Sequence, residues 1–172
     1  GDKPPAKVVA NGGRVHPNYE GNIFDHMTAT YEWANGARGV IAQRQIANCY
    51  SDNSDYVLGG KGKGWNGWSN SYFKNVDGSN GWRYRGEKPD MYVVEHQHLY
   101  KAIRNGELHN DGDRMVNSTL AGIMGRLAAY TGQEVTWEQA LNSQIKLVPD
   151  NLSWDMKLPI EPLPVPGKTK LS

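Results

Sequence analysis

The sequence predicts an α+β domain, and three observations carry that expectation. Short strand-like segments separated by Gly, Asn and Asp clusters fill the chain from Ala6 to about Tyr84. Three helical stretches follow, from about Pro89 to Asn142, and strands followed by helices are the pattern of an α+β fold. The length, 172 residues, suffices for one buried core. About six strands and three helices are therefore expected over residues 6–148. A leading segment occupies 1–5 and a proline-punctuated, extended tail 149–172.

The strand segments are AKVVA, NIFDHMTATYEW, ARGVIAQRQIAN, DYVLGG, SYFKNV and GWRY. The sharpest local signal is Asn35-Gly36, because a two-residue Asn-Gly loop supplies the positive φ angles of a type I′ hairpin turn. That turn sets Ala34 opposite Ala37 and, working outward, Tyr31 opposite Val40, Ala29 opposite Ala42, Met27 opposite Arg44 and Asp25 opposite Ile46. This face is mostly apolar and is expected to look at the helices. The other pairs His26 with Gln45, Thr28 with Gln43 and Thr30 with Ile41, a side suited to polar contact.

The first helix, about Pro89 to Asn105, ends at Gly106, and its stripe of Met91, Tyr92, Leu99, Ala102 and Ile103 has Glu95 in the middle. A carboxylate there needs a partner, and Arg44 would give an Asp25/Arg44/Glu95 cluster between sheet and helix, read first as a structural ion network. The second helix, about Asp111 to Tyr130, carries the apolar stripe Val116, Leu120, Ile123 and Leu127. Beside it runs a small-residue face of Ser118, Ala121, Gly122, Gly125 and Ala129, which admits another element closely. The third, Thr136 to about Asn142, opens with Thr136 and Gln139 at capping-box spacing.

Composition excludes more than it identifies. With 19 Lys+Arg against 18 Asp+Glu there is no electrostatic footprint for nucleic acid or an anionic membrane, and no apolar run approaches the roughly 20 residues that span a bilayer. The start GDKPPAKVV, without an initiator Met or an apolar signal core, reads as cut from a longer chain. Cys49 is the single cysteine, so no intrachain disulfide forms, and cytoplasm and periplasm remain equally open.

Among chemical motifs, GGKGKGWNGW has a phosphate loop's composition but neither its spacing nor a following helix, so its glycines read as bulges and turns. His96 and His98 are two apart on a helix and point about 200° away from each other, which does not suit a shared metal. Trp65, Trp68, Tyr72, Trp82 and Tyr84, interleaved with Asn, Ser and Gly, fit either a platform for sugar rings or a core under the helices. GGRVHPNYEGN is a Gly-rich loop between strands that carries Arg14 and His16. Glu87-Lys88-Pro89, in RGEKPDMY, has nothing apolar around it to lower the lysine's pKa and reads as a wet loop.

Taken in order, ANGGR, GNIFDH, YEWANGARG, RQIANC, EH-x-x-L-x-x-AIRNGE, STLAGIMGR-x-AAYTG and VTWEQAL-x-S resemble the C-terminal domain of Gfo/Idh/MocA-type oxidoreductases, in particular the bacterial sugar-related branch. The resemblance runs from about Val8 to the proline-rich tail. It implies a glyceraldehyde-3-phosphate dehydrogenase-like α+β domain: an open, mainly antiparallel sheet with helices on one face and the polar face exposed to substrate or a partner subunit. It also implies a preceding Rossmann domain that binds NAD or NADP. This chain has no G-x-G-x-x-G after a strand, and the family's catalytic lysine belongs to that other domain, so this polypeptide is expected to bind no cofactor and to be inactive alone.

The activity the resemblance implies is hydride transfer to or from a sugar, polyol or glycoside, with Arg14, His16, Asp25, His26 and Arg44 orienting substrate hydroxyls or holding the groups that do. A homo-oligomer through the open sheet face is expected. The tail LPIEPLPVPGKTK, which in the family runs toward the cofactor domain, is expected to lack its dock here and to be mobile or held by neighbouring molecules. Two other readings remain: a domain of an NAD-dependent glycosidase of the same superfamily, and a non-catalytic carbohydrate-binding module.

Overall fold

The strands pair antiparallel in two four-stranded sheets in this computed structural model, which describes residues 3–68, 70–79 and 81–171. In chain order the elements are β1 (Lys7–Gly13), β2 (His26–Glu32), β3 (Arg38–Arg44), β4 (Asp55–Gly59), β5 (Gly62–Asn66), β6 (Ser71–Asn75), β7 (Trp82–Arg83), α1 (Met91–Asn105), α2 (Gly112–Thr131), β8 (Val135–Thr136) and α3 (Trp137–Leu141). The class is α+β, as expected. The strands form two sheets, ordered β3-β2-β1-β8 and β4-β5-β6-β7, and not one sheet of about six. The chain divides into two compact units, residues 1–47 with 110–172, and residues 48–109.

In the first unit the core lies between α2 and the inner strands. Val8 opposes both Tyr31 and Val135 across the sheet, and these pack with Ala29, Met124, Leu127, Ala128 and Ala140 in one buried cluster. The register of β2 sends Ala29 and Tyr31 to the helix side, as the alternation predicts. The stripe expected on α2 is rotated: Val116 and Ile123 are exposed, whereas Met124, Gly125, Leu127 and Ala128 are buried. The cause is the small-residue face, where Tyr31 stands so close that its hydroxyl donates to the Ala121 carbonyl at 2.8 Å. Asn110 Oδ1 accepts the Gly112 N–H at the start of α2, and Gly132, in the left-handed conformation at φ 71°, ends it. The capping box of Thr136 and Gln139 forms as its spacing predicts.

The β2–β3 hairpin differs from expectation by one residue. Its loop is Ala34-Asn35-Gly36: Trp33 N–H donates to Ala37 O and Gly36 N–H to Trp33 O, both at 2.9 Å, and Gly36 carries the positive φ of 82°. This is the three-residue hairpin in which a turn is followed by a left-handed glycine, and not the two-residue type I′ loop. Because side chains alternate, the slip turns β3 over: Arg44 opposes His26, not Met27, and joins the face of Thr28 and Thr30, while Gln43 goes to the helix side. The expected polar set His26, Thr28, Gln43 and Gln45 is thus corrected. So is the Asp25/Arg44/Glu95 cluster, since Arg44 leaves Asp25's face and Glu95 is exposed on α1.

The proline-rich tail is anchored, contrary to expectation. Gly167 N–H donates to Thr131 O (2.8 Å) at the end of α2, Thr169 Oγ1 accepts the Val165 N–H (2.9 Å), and Leu171 packs against the core cluster.

In the second unit, GGKGKGWNGW forms a hairpin between β4 and the unforeseen β5. Gly59 opposes Gly62 around Gly60-Lys61, and a side chain on Gly62 would overlap Lys74 O and the Phe73 ring. Helix α1 starts at the cap Asp90, which accepts from Tyr92 N–H (2.8 Å), and closes on left-handed Gly106. Its expected stripe is exposed at Met91, Tyr92, Leu99 and Ile103, with Ala102 alone buried. The periodicity marked an apolar side and carried no information about what covers it. Lys88 sits in the exposed loop before this helix, where Tyr84 Oη donates to Glu87 O at 2.6 Å.

Candidate functional site

The connection between β1 and β2 brings four of the five expected residues together. Gly12 and Gly13 let the strands approach: a side chain on Gly12 would strike the His26 carbonyl, and one on Gly13 would meet the His26 ring at 3.5 Å. From there the chain loops through Arg14 and His16 and returns at Asp25, whose N–H donates to Gly13 O at 3.0 Å.

Asp25 is the clamp of this loop and is 6% exposed. Its Oδ2 accepts the backbone N–H groups of Val15 (2.8 Å) and His16 (3.1 Å), and its Oδ1 meets His26 Nδ1 at 2.8 Å. A carboxylate can only accept, so Nδ1 carries the proton and a neutral His26 keeps the lone pair on Nε2. Arg14 braces the loop from the other side, with Nε on His16 O (3.0 Å) and Nη1 on Gly21 O (2.5 Å). The His16 ring stacks on Tyr19 at 4.8 Å. Arg14 Nη2 and His16 Nε2 are buried without a hydrogen-bond partner among the described residues.

Arg44 lies across the ladder from His26, with Gly13 on the other side, so the last row of the sheet reads Gly13, His26, Arg44. The slipped register therefore takes Arg44 out of the expected ion network and puts it on the same face as His26, directly across the ladder. The arrangement sets an imidazole positioned by a buried carboxylate on the same face as a cationic residue across the ladder. Such a pair can accept a hydroxyl proton and hold an oxygen or an anion. Sequence reasoning did not single out the two loop amides or Tyr19, because backbone donors leave no mark in composition. Among the described residues no group of three or more His, Cys, Asp or Glu comes together as a metal site.

Burial on its own would raise the Asp25 carboxyl, but the hydrogen bonds from His26 and from the His16 and Val15 amides outweigh it and lower its pKa from 3.8 to about 2. With the folded value below the unfolded one, Asp25 stabilises the fold fully above about pH 4, and that contribution fades as pH falls toward about 2. Acid titration followed by NMR is expected to show the Val15 and His16 amides losing exchange protection in this window. Protection lost already near pH 6 would contradict the clamp.

No protein-family model matches the sequence, and no curated protein matches it. Solved structures share its fold. The chain spans about two-fifths of the length of each structure below. An oxidoreductase from Agrobacterium radiobacter, in complex with NAD+, L-tartaric acid and magnesium, superposes with a TM-score of 0.60 at 14% identity over 78% of this chain and 44% of its own. The aldose-aldose oxidoreductase of Caulobacter crescentus, complexed with glycerol, gives 0.58 at 18% identity over 78% and 42%. An oxidoreductase from Thermotoga maritima gives 0.59 at 15% identity over 80% and 39%.

Proposed function

We propose that this chain is the substrate-facing C-terminal domain of a Gfo/Idh/MocA-type NAD(P)-dependent oxidoreductase acting on a sugar, polyol or glycoside. The observation that carries the reading is the coverage: about four-fifths of this chain lies on two-fifths of oxidoreductases, one of them in complex with NAD+. The ordered motifs from ANGGR to VTWEQAL point the same way.

The dinucleotide, held by a Rossmann domain, would supply the hydride acceptor or donor. Among the described residues, the stretch GGKGKGWNGW does not fit its pyrophosphate. The glycine-rich stretch closes a β-hairpin and does not open a helix, so no backbone N–H cradle forms there. What these residues do is orient substrate. Asp25 fixes the His26 ring, whose Nε2 accepts a hydrogen bond from a substrate hydroxyl, and Arg44 holds a neighbouring oxygen. Arg14 and His16 shape the loop that walls the site, and the open face of the β1–β3 sheet is the side for a second subunit.

The test uses the full-length protein with NAD or NADP and a panel of sugars and polyols, followed by mass spectrometry of the products. Oxidation of a sugar or polyol with reduction of the cofactor is expected, and His26→Ala should lower kcat/KM by about tenfold or more. Saturable NAD binding by the 172-residue chain alone, or full activity of His26→Ala, would overturn the assignment.

A further inference from the structure

The β4–β7 sheet carries a second candidate site, on the unit formed by residues 48–109. Its register aligns Tyr56, Trp65, Tyr72 and Arg83 in one row across all four strands, and residues directly opposite share a face. The next row sets Lys63 directly opposite Lys74. Like charges placed so are destabilising, and no acidic residue of these four strands lies on that face, because Asp55 alternates to the other side. Neither lysine is ion-paired among the described residues. The face is open: Tyr56 is 70% and Leu58 86% exposed.

The aromatic part of the row is held in place. Asp52 Oδ2 accepts the Tyr56 hydroxyl at 2.7 Å, and Trp65 lies directly across the ladder from Tyr56. The bond to Asp52 raises the Tyr56 pKa above its ordinary value and keeps the hydroxyl protonated. A side chain on Gly67 would sit 2.6 Å from Trp65 Cζ2, so the indole lies where only glycine leaves room. Trp65 stacks on Tyr72 at 5.8 Å, and Lys74 and Arg83 stand 5.5 and 6.0 Å from the centre of the Tyr72 ring. A fixed aromatic surface thus passes into a group of three cations.

From this juxtaposition we propose that the Tyr56–Trp65–Tyr72–Arg83 row, with Lys63 and Lys74, binds an acidic saccharide, one whose sugar rings bear carboxylates. The apolar face of a sugar ring stacks on Trp65 and Tyr56, the quadrupole of the indole favouring the C–H hydrogens. Asp52, at the Tyr56 end, accepts from a ring hydroxyl. The carboxylate falls among Lys63, Lys74 and Arg83, where it relieves the lysine repulsion through charge-assisted hydrogen bonds. Single-stranded DNA would also use aromatics and cations, but its sugar-phosphate backbone offers the Asp52 carboxylate no hydroxyl to accept from. The row spans roughly 14 Å at the usual strand spacing, which suits a short oligosaccharide.

Calorimetric titration of the 172-residue chain with trigalacturonate, maltotriose and a short oligothymidylate tests the proposal. Trigalacturonate is expected to bind saturably, with maltotriose and oligothymidylate at least about tenfold weaker. The double variant Lys74→Ala/Arg83→Ala should weaken trigalacturonate by about tenfold or more, a loss of about 1.4 kcal/mol or more. Trp65→Ala should do the same, and Trp65→Phe, which keeps a ring in case the alanine variant misfolds, should retain most of the affinity. Absence of saturable trigalacturonate binding overturns the site. Equal affinity for maltotriose removes the anionic requirement, and tighter oligothymidylate binding assigns the face to nucleic acid; either overturns the proposal.

Discussion

Gly125→Ala is expected to destabilise the protein by about 1–3 kcal/mol, while Gly122→Ala on the same helix stabilises it by about 0.5–1 kcal/mol. Taken alone, the two glycines carry the same propensity term, since alanine favours a helix interior over glycine at either place. What separates them is their surroundings. A Cβ at Gly122 meets nothing within 4 Å, so only the gain remains. A Cβ at Gly125 would overlap the Tyr31 hydroxyl and approach the ring at 3.3 Å and Ala29 Cβ at 3.5 Å. Tyr31 cannot simply swing away. It is buried at 5% exposure, opposes Gly39 and Val8 across the sheet, and donates to Ala121 O at 2.8 Å. Displacing it strands a buried hydroxyl and opens the core around Val8, Met124 and Ala128. Urea unfolding of the two variants, compared at equal m-value, checks the sign. A stabilised Gly125→Ala would mean that β2 and α2 are further apart than the 2.8 Å hydrogen bond allows.

The same contact shows what could be read from the sequence and what could not. The small-residue face of α2 announced a close approach, and Pro89 and the capping pair of Thr136 and Gln139 placed two helix starts within a residue or two. Alternation in HMTATYE placed Ala29 and Tyr31 inward correctly, because β2 has a core on one side and polar residues on the other. β3 has no such asymmetry to pin it. Its residues from Val40 to Arg44 are all exposed, so register there depends on the turn alone, and Asn-Gly serves both a two-residue and a three-residue loop. That single ambiguity moved Arg44 from an imagined ion network to the place beside His26. At the candidate site, Arg14, His16, Asp25 and His26 were legible as a group because they flank one loop. The clamp itself was hidden, since its partners are the backbone amides of Val15 and His16. In the 48–109 unit the glycines of GKGWN hid β5, for a strand whose glycines make room for Phe73 shows little strand propensity.

Asp25→Ala and Asp25→Asn are expected to separate the loop clamp from the orientation of His26. Removing the carboxylate releases the amides of Val15 and His16, so Asp25→Ala should raise their hydrogen-exchange rates by about 100-fold or more and lower kcat/KM of the full-length protein by a similar factor. In Asp25→Asn the amide oxygen can still accept both N–H groups, and exchange at Val15 and His16 should stay close to that of the native chain. Its NH2 then faces His26 Nδ1, where the native carboxylate accepts at 2.8 Å. Two donors cannot share that contact, so the neutral imidazole must move its proton to Nε2 and turn Nδ1 into the acceptor. The ring nitrogen that a substrate hydroxyl would meet thus changes from acceptor to donor while the loop stays closed. Nitrogen-15 chemical shifts of His26 read the tautomer directly, independently of turnover. The expected pattern is an ordered loop, an inverted tautomer and a kcat/KM reduced by about tenfold or more. Native turnover in Asp25→Asn with the tautomer inverted would remove His26 Nε2 from substrate recognition and leave Asp25 as a brace of the β1–β2 loop alone.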